Sequence, residues 1–469
     1  MTYKLHPDRF FDPDPTTRKI ARQLYEQVCD LPIISPHGHT DPHWFAENKP
    51  FSDPTELIIV PDHYVFRLLY SQGIKIESLG VPTVDGIPVE SDRRKIWRLF
   101  ARHFYLFDGT PTGAWLSYEF TEIFGVNEKL TADNADRIYD HISGLLNRTE
   151  FLPRSIVDRF NIEVLSTTDE ASDQLLSHQK IRKSDWNGRI IPCFRPDAVT
   201  NIRNPHWKNK IDELSNIVGY ELNNYSHFIR ALEDRRLYFK SMGATATDQG
   251  ILSPFTIELN KSDCDIIYQR ALNGTATEDD ALQFSGQILM EMARMSIEDG
   301  LVMQIHPGSF RNHNKMIYNR FGHDMGADIP VRTEYTRNLH TLLNKYGNDP
   351  RLTLIVFTLD ESTYSRELAP LAGHYPAMKL GPSWWFHDSI EGMMRFRRMT
   401  TETASIYNTV GFNDDTRALL SIPARHDLSR RVDSNYLATL VATHRIDMDS
   451  ALRMSKALAY DLAKQAYKL

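Results

Sequence analysis

Two histidines, His37 and His39, stand one glycine apart just after the apolar run Leu31-Pro32-Ile33-Ile34. Alternate residues of an extended chain point to the same side, so both imidazoles can reach one ion. Gly38 between them leaves room for a further group to approach. Asp415, in the stretch Asp414-Asp415-Thr416-Arg417, offers a third ligand. Two histidines and one carboxylate leave a position open on a zinc ion, as catalytic rather than structural zinc sites do. Manganese accepts the same donors. Other readings stay open: two solvated loop histidines, and an aspartate that caps a helix or acts as a base.

Further residues suit proton transfer and anion binding. His63-Tyr64 pairs an imidazole with a phenol, two groups that donate or shuttle protons; the alternative is a half-buried face of an amphipathic helix. Arg195, Arg311, Arg417 and Arg425 each follow an apolar run, and the planar guanidinium fork fits carboxylates and phosphates. Structural ion pairs, as Arg195-Pro196-Asp197 suggests, are the competing reading. His306 could bind metal or a sugar hydroxyl, or simply complete a turn before Pro307-Gly308. Trp385, in Trp384-Trp385-Phe386, could floor a sugar site or belong to the core. Arg430-Arg431 reads as a solvated part of a helix.

These residues need elements to bring them together. Eight short β-rich runs cover 31–35, 162–166, 189–194, 243–247, 301–305, 352–357, 377–380 and 408–412. The run 15–29 and most intervening stretches carry apolar residues at helical spacing. The pattern predicts an α/β chain folded as a (β/α)8 TIM barrel, one domain over 1–469. Residues 41–158 lack strand character and are expected to form a mainly helical insertion between strands one and two. Each run is followed by polar residues: His37 and His39, Thr167-Thr168-Asp169, Arg195, Thr247-Asp248, His306, Thr358 and Asp360, Ser383-Trp384-Trp385, and Asp414 to Arg417. Barrel enzymes carry their active sites on that rim.

The composition fits an ordinary soluble protein. With 54 basic and 61 acidic residues the net charge is −7, which argues against a general nucleic-acid binder. A few arginines can still make a basic pocket. Three scattered cysteines, Cys29, Cys193 and Cys264, make a disulfide framework or a thiolate zinc site a poor expectation. There is no signal core and no apolar run long enough for a membrane, so a cytoplasmic location is expected.

Taken in order, HGH, DHY, STTD, FRPD, HPGSFRNHN, GPSWWFHD, DDTR and ARHD resemble the uronate isomerases, an outlying branch of the amidohydrolase superfamily. The resemblance runs from about residue 15 to the end. It implies a barrel with a helical insertion after strand one. It also implies isomerisation of D-glucuronate to D-fructuronate and of D-galacturonate to D-tagaturonate through a cis-enediol. His37, His39 and Asp415 match its metal-site positions, for one divalent ion. His63, Tyr64 and Arg417 match positions for proton transfer and enediol stabilisation, with Asp415 able to take the C2 proton. Arg195 and Arg425 match positions near the substrate. Two departures stand out. Strand four offers Thr247-Asp248 rather than a lysine, and strand six offers Thr358 and Asp360 rather than a histidine, which disfavours a two-metal hydrolase. Gln249 stands where the family often has a histidine. The alternative activity is a one-metal amidohydrolase acting on a carboxylated substrate. The aromatic-rich insertion is expected to cover the rim or to contact a partner subunit in a homo-oligomer.

Overall fold

The structure, a computed structural model, describes residues 3–469. Among the described residues, eleven strand segments run in chain order. They are β1 (Ile33–Ser35), β2 (Ile162–Ser166), β3 (Asp169–Glu170), β4 (Ile190–Ile191), β5 (Phe194–Arg195), β6 (Ala246–Ile251), β7 (Val302–Pro307), β8 (Ser309–Phe310), β9 (Ile329–Pro330), β10 (Leu354–Val356) and β11 (Met378–Leu380). β2 and β3 are two parts of one path, interrupted at Thr167-Thr168. β4 and β5 are likewise parted by Pro192-Cys193, where proline has no N–H to give the ladder.

The strands pair in parallel in the orders β1-β2-β4 and β3-β5-β6-β7-β10-β11. Their registers align Gln249, Ile305, Val356 and Leu380 in one rung, and a parallel bridge extends it to Thr409. His39 N–H donates to Thr416 O at 2.9 Å, so the eighth path meets the first. Eight parallel paths joined from first to last and back again is the arrangement a (β/α)8 barrel requires. The apolar strands are buried along their length, as parallel strands covered by helices must be.

Three expectations differ in detail. The fourth strand is Ala246–Ile251, not 243–247, so Asp248 and Gln249 lie within it. The stretch 408–412 makes only the Thr409 bridge, because Gly411 turns the chain at φ +75°. Asp414-Asp415 cap no helix; the next helix begins at Ser421.

Between β1 and β2, among the described residues, there are helices and no strand. The α-helices are Pro42–Glu47, Pro54–Ile58, His63–Ser71, Arg93–Arg102, Pro111–Tyr118, Ala135–Leu146 and Pro153–Arg159. Most begin on an aspartate or threonine that accepts the orphan N–H groups of the first turn. They bury Trp97, Phe100, Phe104, Phe107 and Phe120 in mutual contact. The Trp97 indole N–H is satisfied by Ala135 O at 2.9 Å.

A second excursion leaves the rim after β7. β8 and β9 pair antiparallel and enclose the helix Lys315–Phe321. This segment leans on the insertion: Val84 N–H donates to Arg320 O at 2.7 Å, and Arg320 pairs with Glu77 at 2.6 Å.

The helix Ser421–Ala442 is buried on nearly all sides, yet it carries many charges. Each finds a partner. Arg397 and Asp433 pair at 2.7 Å, and Arg431 pairs with Asp427 at 3.0 Å. Arg430 donates to the carbonyls of Cys29, Leu31 and Pro32 at 2.8, 2.8 and 3.0 Å. The expectation of a solvated Arg430-Arg431 is therefore overturned, because both arginines are buried and their guanidiniums satisfy backbone carbonyls and the Asp427 carboxylate. The N-terminal helix Pro15–Glu26 packs along the same long helix through Ala21 and Leu24.

Candidate active site

A cleft open to solvent lies at the C-terminal ends of the strands. His37, His39, His63, Tyr64, Arg195, His306, Arg311, Trp385, Asp415 and Arg417 all line it. Of the candidate catalytic, substrate-binding and metal residues, Arg425 alone does not. Asp62, Asp248, Asp324, Trp384 and Thr416 complete the wall.

His37 and His39 leave the end of β1. Asp415 reaches them from the eighth path, with Oδ1 at 3.5 Å from His37 Nε2 and 3.2 Å from His39 Nε2. Its backbone sits at φ +40°, an uncommon conformation that aspartate tolerates better than most residues. Three donor atoms thus share one small volume. Tetrahedral bonds of about 2.0–2.1 Å place ligand atoms roughly 3.3 Å apart, close to both separations. Protonation states agree. Burial pushes His37 down to about 4, so it is neutral at neutral pH. Burial would raise Asp415, but His37 and His39 hold it well below the usual carboxylate range. A neutral imidazole beside an ionised carboxylate is what a divalent cation needs. The residues fit such an ion. A Cβ on Gly38 would come no nearer than 3.4 Å to Thr416 O, so crowding alone does not demand the glycine.

His306 backs this cluster. Its ring stacks on His37 with centroids 4.7 Å apart and on Phe357 at 3.9 Å. Its Nδ1 lies 2.6 Å from Asp248 Oδ1, which leaves Nε2 buried without a partner. His37, Asp248 and His306 form a second group of potential ligands that shares His37 with the first. Asp248 Oδ2 in turn lies 3.4 Å from Arg195 Nη1, and Arg195 Nε donates to Asp197 at 2.7 Å. Burial would lower the Arg195 guanidinium, but Asp197 and Asp248 raise it and keep it charged. Gly250 makes this crowding possible. A Cβ there would lie 2.8 Å from Arg195 Nη2, 3.0 Å from Asp197 Oδ2 and 3.1 Å from Arg311 Nη2. Gln249 is buried with both amide atoms unpartnered.

The opposite wall belongs to the insertion. Asp62 caps the helix His63–Ser71 by accepting from Tyr64 N–H at 2.8 Å, which places His63 and Tyr64 in its first turn. The Tyr64 hydroxyl donates to Asp388 Oδ2 at 3.3 Å. Arg425 sits behind them. It donates to the same Asp388 oxygen at 2.7 Å and to Asp414 O at 3.1 Å, and stacks on Trp115 at 3.5 Å. Arg425 thus holds Asp388 and Asp414 from behind and does not line the cavity. Burial, with Asp388 adding, pushes the Tyr64 phenol well above its ordinary value, so it stays protonated. Burial raises Asp388 to about 6 against the pull of Arg425. Burial and the charge of Arg417 push His63 well below its ordinary value, so it is neutral. Trp385, at φ +50°, meets His63 edge-on at 5.7 Å and stacks on Phe386.

Asp324 escaped the sequence reading. It lies in the excursion after β7, 3.4 Å from Arg417 and 3.5 Å from Arg311. Neighbouring glycines, Gly322 and Gly326, mark a turn there but do not say that it folds back over the cavity.

The comparisons with known proteins agree with this geometry. The family model described as glucuronate isomerase matches residues 11–467. A uronate isomerase of Brucella suis biovar 1 is 55% identical over 99% of this chain and 100% of its own length. The crystal structure of a glucuronate isomerase from Caulobacter crescentus superposes with a TM-score of 0.98 at 52% identity, covering 100% of this chain and 98% of that one. A uronate isomerase structure from Thermotoga maritima gives 0.92 at 26% identity, covering 99% of each chain. These matches do not favour the hydrolase alternative. Among the described residues, no helix is long and apolar enough to cross a membrane.

Proposed function

The chain belongs to the glucuronate isomerase family and is an aldose–ketose isomerase, and from that premise we propose which residues carry the reaction and on which sugars. The substrates are D-glucuronate, giving D-fructuronate, and D-galacturonate, giving D-tagaturonate. A proton moves between C2 and C1 through a cis-enediol. The observation that carries the assignment is a carboxylate, a protonated phenol and three guanidiniums around one cavity, beside a His-His-Asp cluster.

Asp415 takes the C2 proton and returns it at C1. It is ionised at any working pH, and so is a weak base. The driving force must then come from stabilising the enediolate. Arg417 faces that charge across the cavity. The Tyr64 hydroxyl gives a proton to a sugar oxygen and recovers it, and neutral His63 serves as the second carrier. Arg195 and Arg311 receive the C6 carboxylate through their planar forks. His306 Nε2 takes a sugar hydroxyl, and Trp385 floors the ring. One divalent ion, zinc with manganese as the alternative, would be held by His37, His39 and Asp415 and would supply Lewis-acid polarisation of the sugar oxygens. We read 1–469 as one domain, with 41–158 as its helical insertion, acting in the cytoplasm on a small sugar acid.

The test is direct. Metal-replete protein is incubated with D-glucuronate in deuterated water and followed by proton NMR. A ketose product, with deuterium at the exchanged carbon where solvent reaches the base, is expected. Substrate unchanged after long incubation would overturn the reading.

A further inference from the structure

Tyr467 reaches the interior of the barrel from the side opposite the cavity. The helix Leu462–Ala466 delivers it to a cluster with Ala246 and Val302, which begin β6 and β7, and with Cys193, Ile355 and Val410. It is fully buried. Its hydroxyl is used in both directions: it donates to Gln304 Oε1 at 2.8 Å and accepts from Asn413 Nδ2 at 2.9 Å. Gln304 Nε2 in turn donates to Thr247 O at 3.3 Å. Burial pushes the Tyr467 phenol well above its ordinary value, so the hydroxyl keeps its proton. Gln304 and Asn413 each stand two residues before a residue of the site, His306 and Asp415. Along an extended chain that spacing returns to the same face. A layer of buried polar side chains therefore lies one step beneath the site.

The two partners differ in how their backbones are held. Gln304 lies in the middle of β7, paired with β6 on one side and β10 on the other. Asn413 belongs to the eighth path, and among the described residues the segment from Gly411 to Asp415 joins no ladder. Side chains support it instead. Arg397 donates to Gly411 O at 3.2 Å and Arg425 to Asp414 O at 3.1 Å, both from the covering helices Ile390–Ala404 and Ser421–Ala442. Tyr467 holds the same segment from within the barrel. Just beyond it, Asp415 sits at φ +40°, a conformation that costs energy and persists only where its surroundings fix it. We propose that Tyr467 is a positioning residue that acts through Asn413 to hold the Asp415 carboxylate in place beside His37 and His39. The inference rests on the reading of Asp415 as the base, and it adds a group that lies outside the cavity wall. The effect on rate is large, because a misplacement of about 1 Å at a reacting group costs on the order of 10²-fold.

The experiment measures D-glucuronate turnover in Tyr467→Phe, Asn413→Ser, their double variant and Gln304→Met, each well below its melting temperature. Tyr467→Phe and Asn413→Ser should each lower kcat by about 10²-fold and leave KM within about three-fold of wild type. The double variant should be no slower than the slower single, because both changes break one contact. Gln304→Met should keep kcat within about three-fold, since the β7 ladder holds its backbone without the side chain. A merely structural hydroxyl would lower the melting temperature and leave kcat of the folded protein alone. Wild-type kcat in Tyr467→Phe, additive losses in the double variant, or a Gln304→Met as slow as Tyr467→Phe would each overturn the proposal. Crystal structures of the wild type and Tyr467→Phe separate it from the functional reading. The Asp415 carboxylate should move relative to His37 by at least about 0.5 Å, the tolerance of a catalytic constellation. An unmoved carboxylate overturns the proposal even where Asp415→Asn is inactive. An active Asp415→Asn removes the base assignment, and the displacement still decides whether Tyr467 holds the segment. If Tyr467→Phe does not fold, Asn413→Ser takes its place in both measurements.

Discussion

The two walls of the cavity hold their side chains by different means. On the barrel wall, His37, His39, His306 and Asp248 stand at strand ends, and strand register fixes where they point. On the insertion wall, Tyr64 and His63 occupy the first turn of a short helix and are steadied from behind by buried charges. Asp388 and Arg425 meet at 2.7 Å, with Trp115 stacked on the guanidinium. The contrast separates two kinds of failure. Damage to the barrel wall should remove chemistry and leave the fold. Damage behind the insertion wall should remove fold and chemistry together.

The largest effect is expected on the barrel wall. Asp415→Asn should lower kcat by roughly 10³–10⁴-fold, as loss of a general base does at the upper end, with little change in thermal unfolding. Elemental analysis should show metal content falling in the same variant. A kcat within ten-fold of wild type would break the assignment. Next comes Arg425→Met, which leaves Asp388 buried and unpaired. It should cost about 3–5 kcal/mol of stability, read by chemical denaturation, along with most of the activity. If activity vanished while stability held, Arg425 would belong to the chemistry and the comparison would fail.

A smaller effect sharpens the same contrast. Asp388, raised to about 6, must be ionised to hold Arg425 and to accept from Tyr64. As pH falls through about 6 it takes up a proton, and kcat should drop by about ten-fold per pH unit below that point. Asp388→Asn should be slow at every pH and lack this limb. The limb persisting in that variant would assign it to another group.

The smallest effect lies deeper in the insertion, at Glu119. Burial, with Asp62 adding, raises this buried carboxyl to about 8. A group raised on folding favours the protonated form. Its stabilising contribution is full below the unfolded value of 4.5 and is lost as pH climbs through about 8. Glu119→Gln should therefore gain on the order of 1–3 kcal/mol over wild type near pH 8 and little near pH 5. Thermal melts at both pH values would show it, and a gain independent of pH would disprove the cause.

What was legible in the sequence follows the same division. Apolar runs announced Ile33–Ser35, Ile162–Ser166, Val302–Pro307, Leu354–Val356 and Met378–Leu380 closely, because buried parallel strands need apolar residues on both faces. The fourth strand shifted because Asp248, Gln249 and Gly250 look like a loop, yet they are strand residues, and Asp248 lines the cavity. The eighth path bends at Gly411 and carries too little pairing to read as a strand. The polar residues just after these runs were singled out by type, position and family resemblance, and most of them line the cavity. Arg425 was found, but its partner Asp388 and the stacking on Trp115 come from distant segments. Asp324 and the buried role of Arg430 had no local signature either, since both depend on which chain segment folds back over them.

The union of His37 with Asp415 has one more consequence, for the newborn chain. These two residues lie nearly at opposite ends of the sequence, and the helix Pro15–Glu26 likewise waits for Ser421–Ala442. At roughly 5–20 residues per second, ribosomal synthesis separates them by on the order of half a minute. During that interval the two histidines have no carboxylate, and Ala21 and Leu24 have no helix to lie against. Such high contact order delays completion until late in translation. The amino-terminal segment thus lacks its packing partners until the chain is nearly finished.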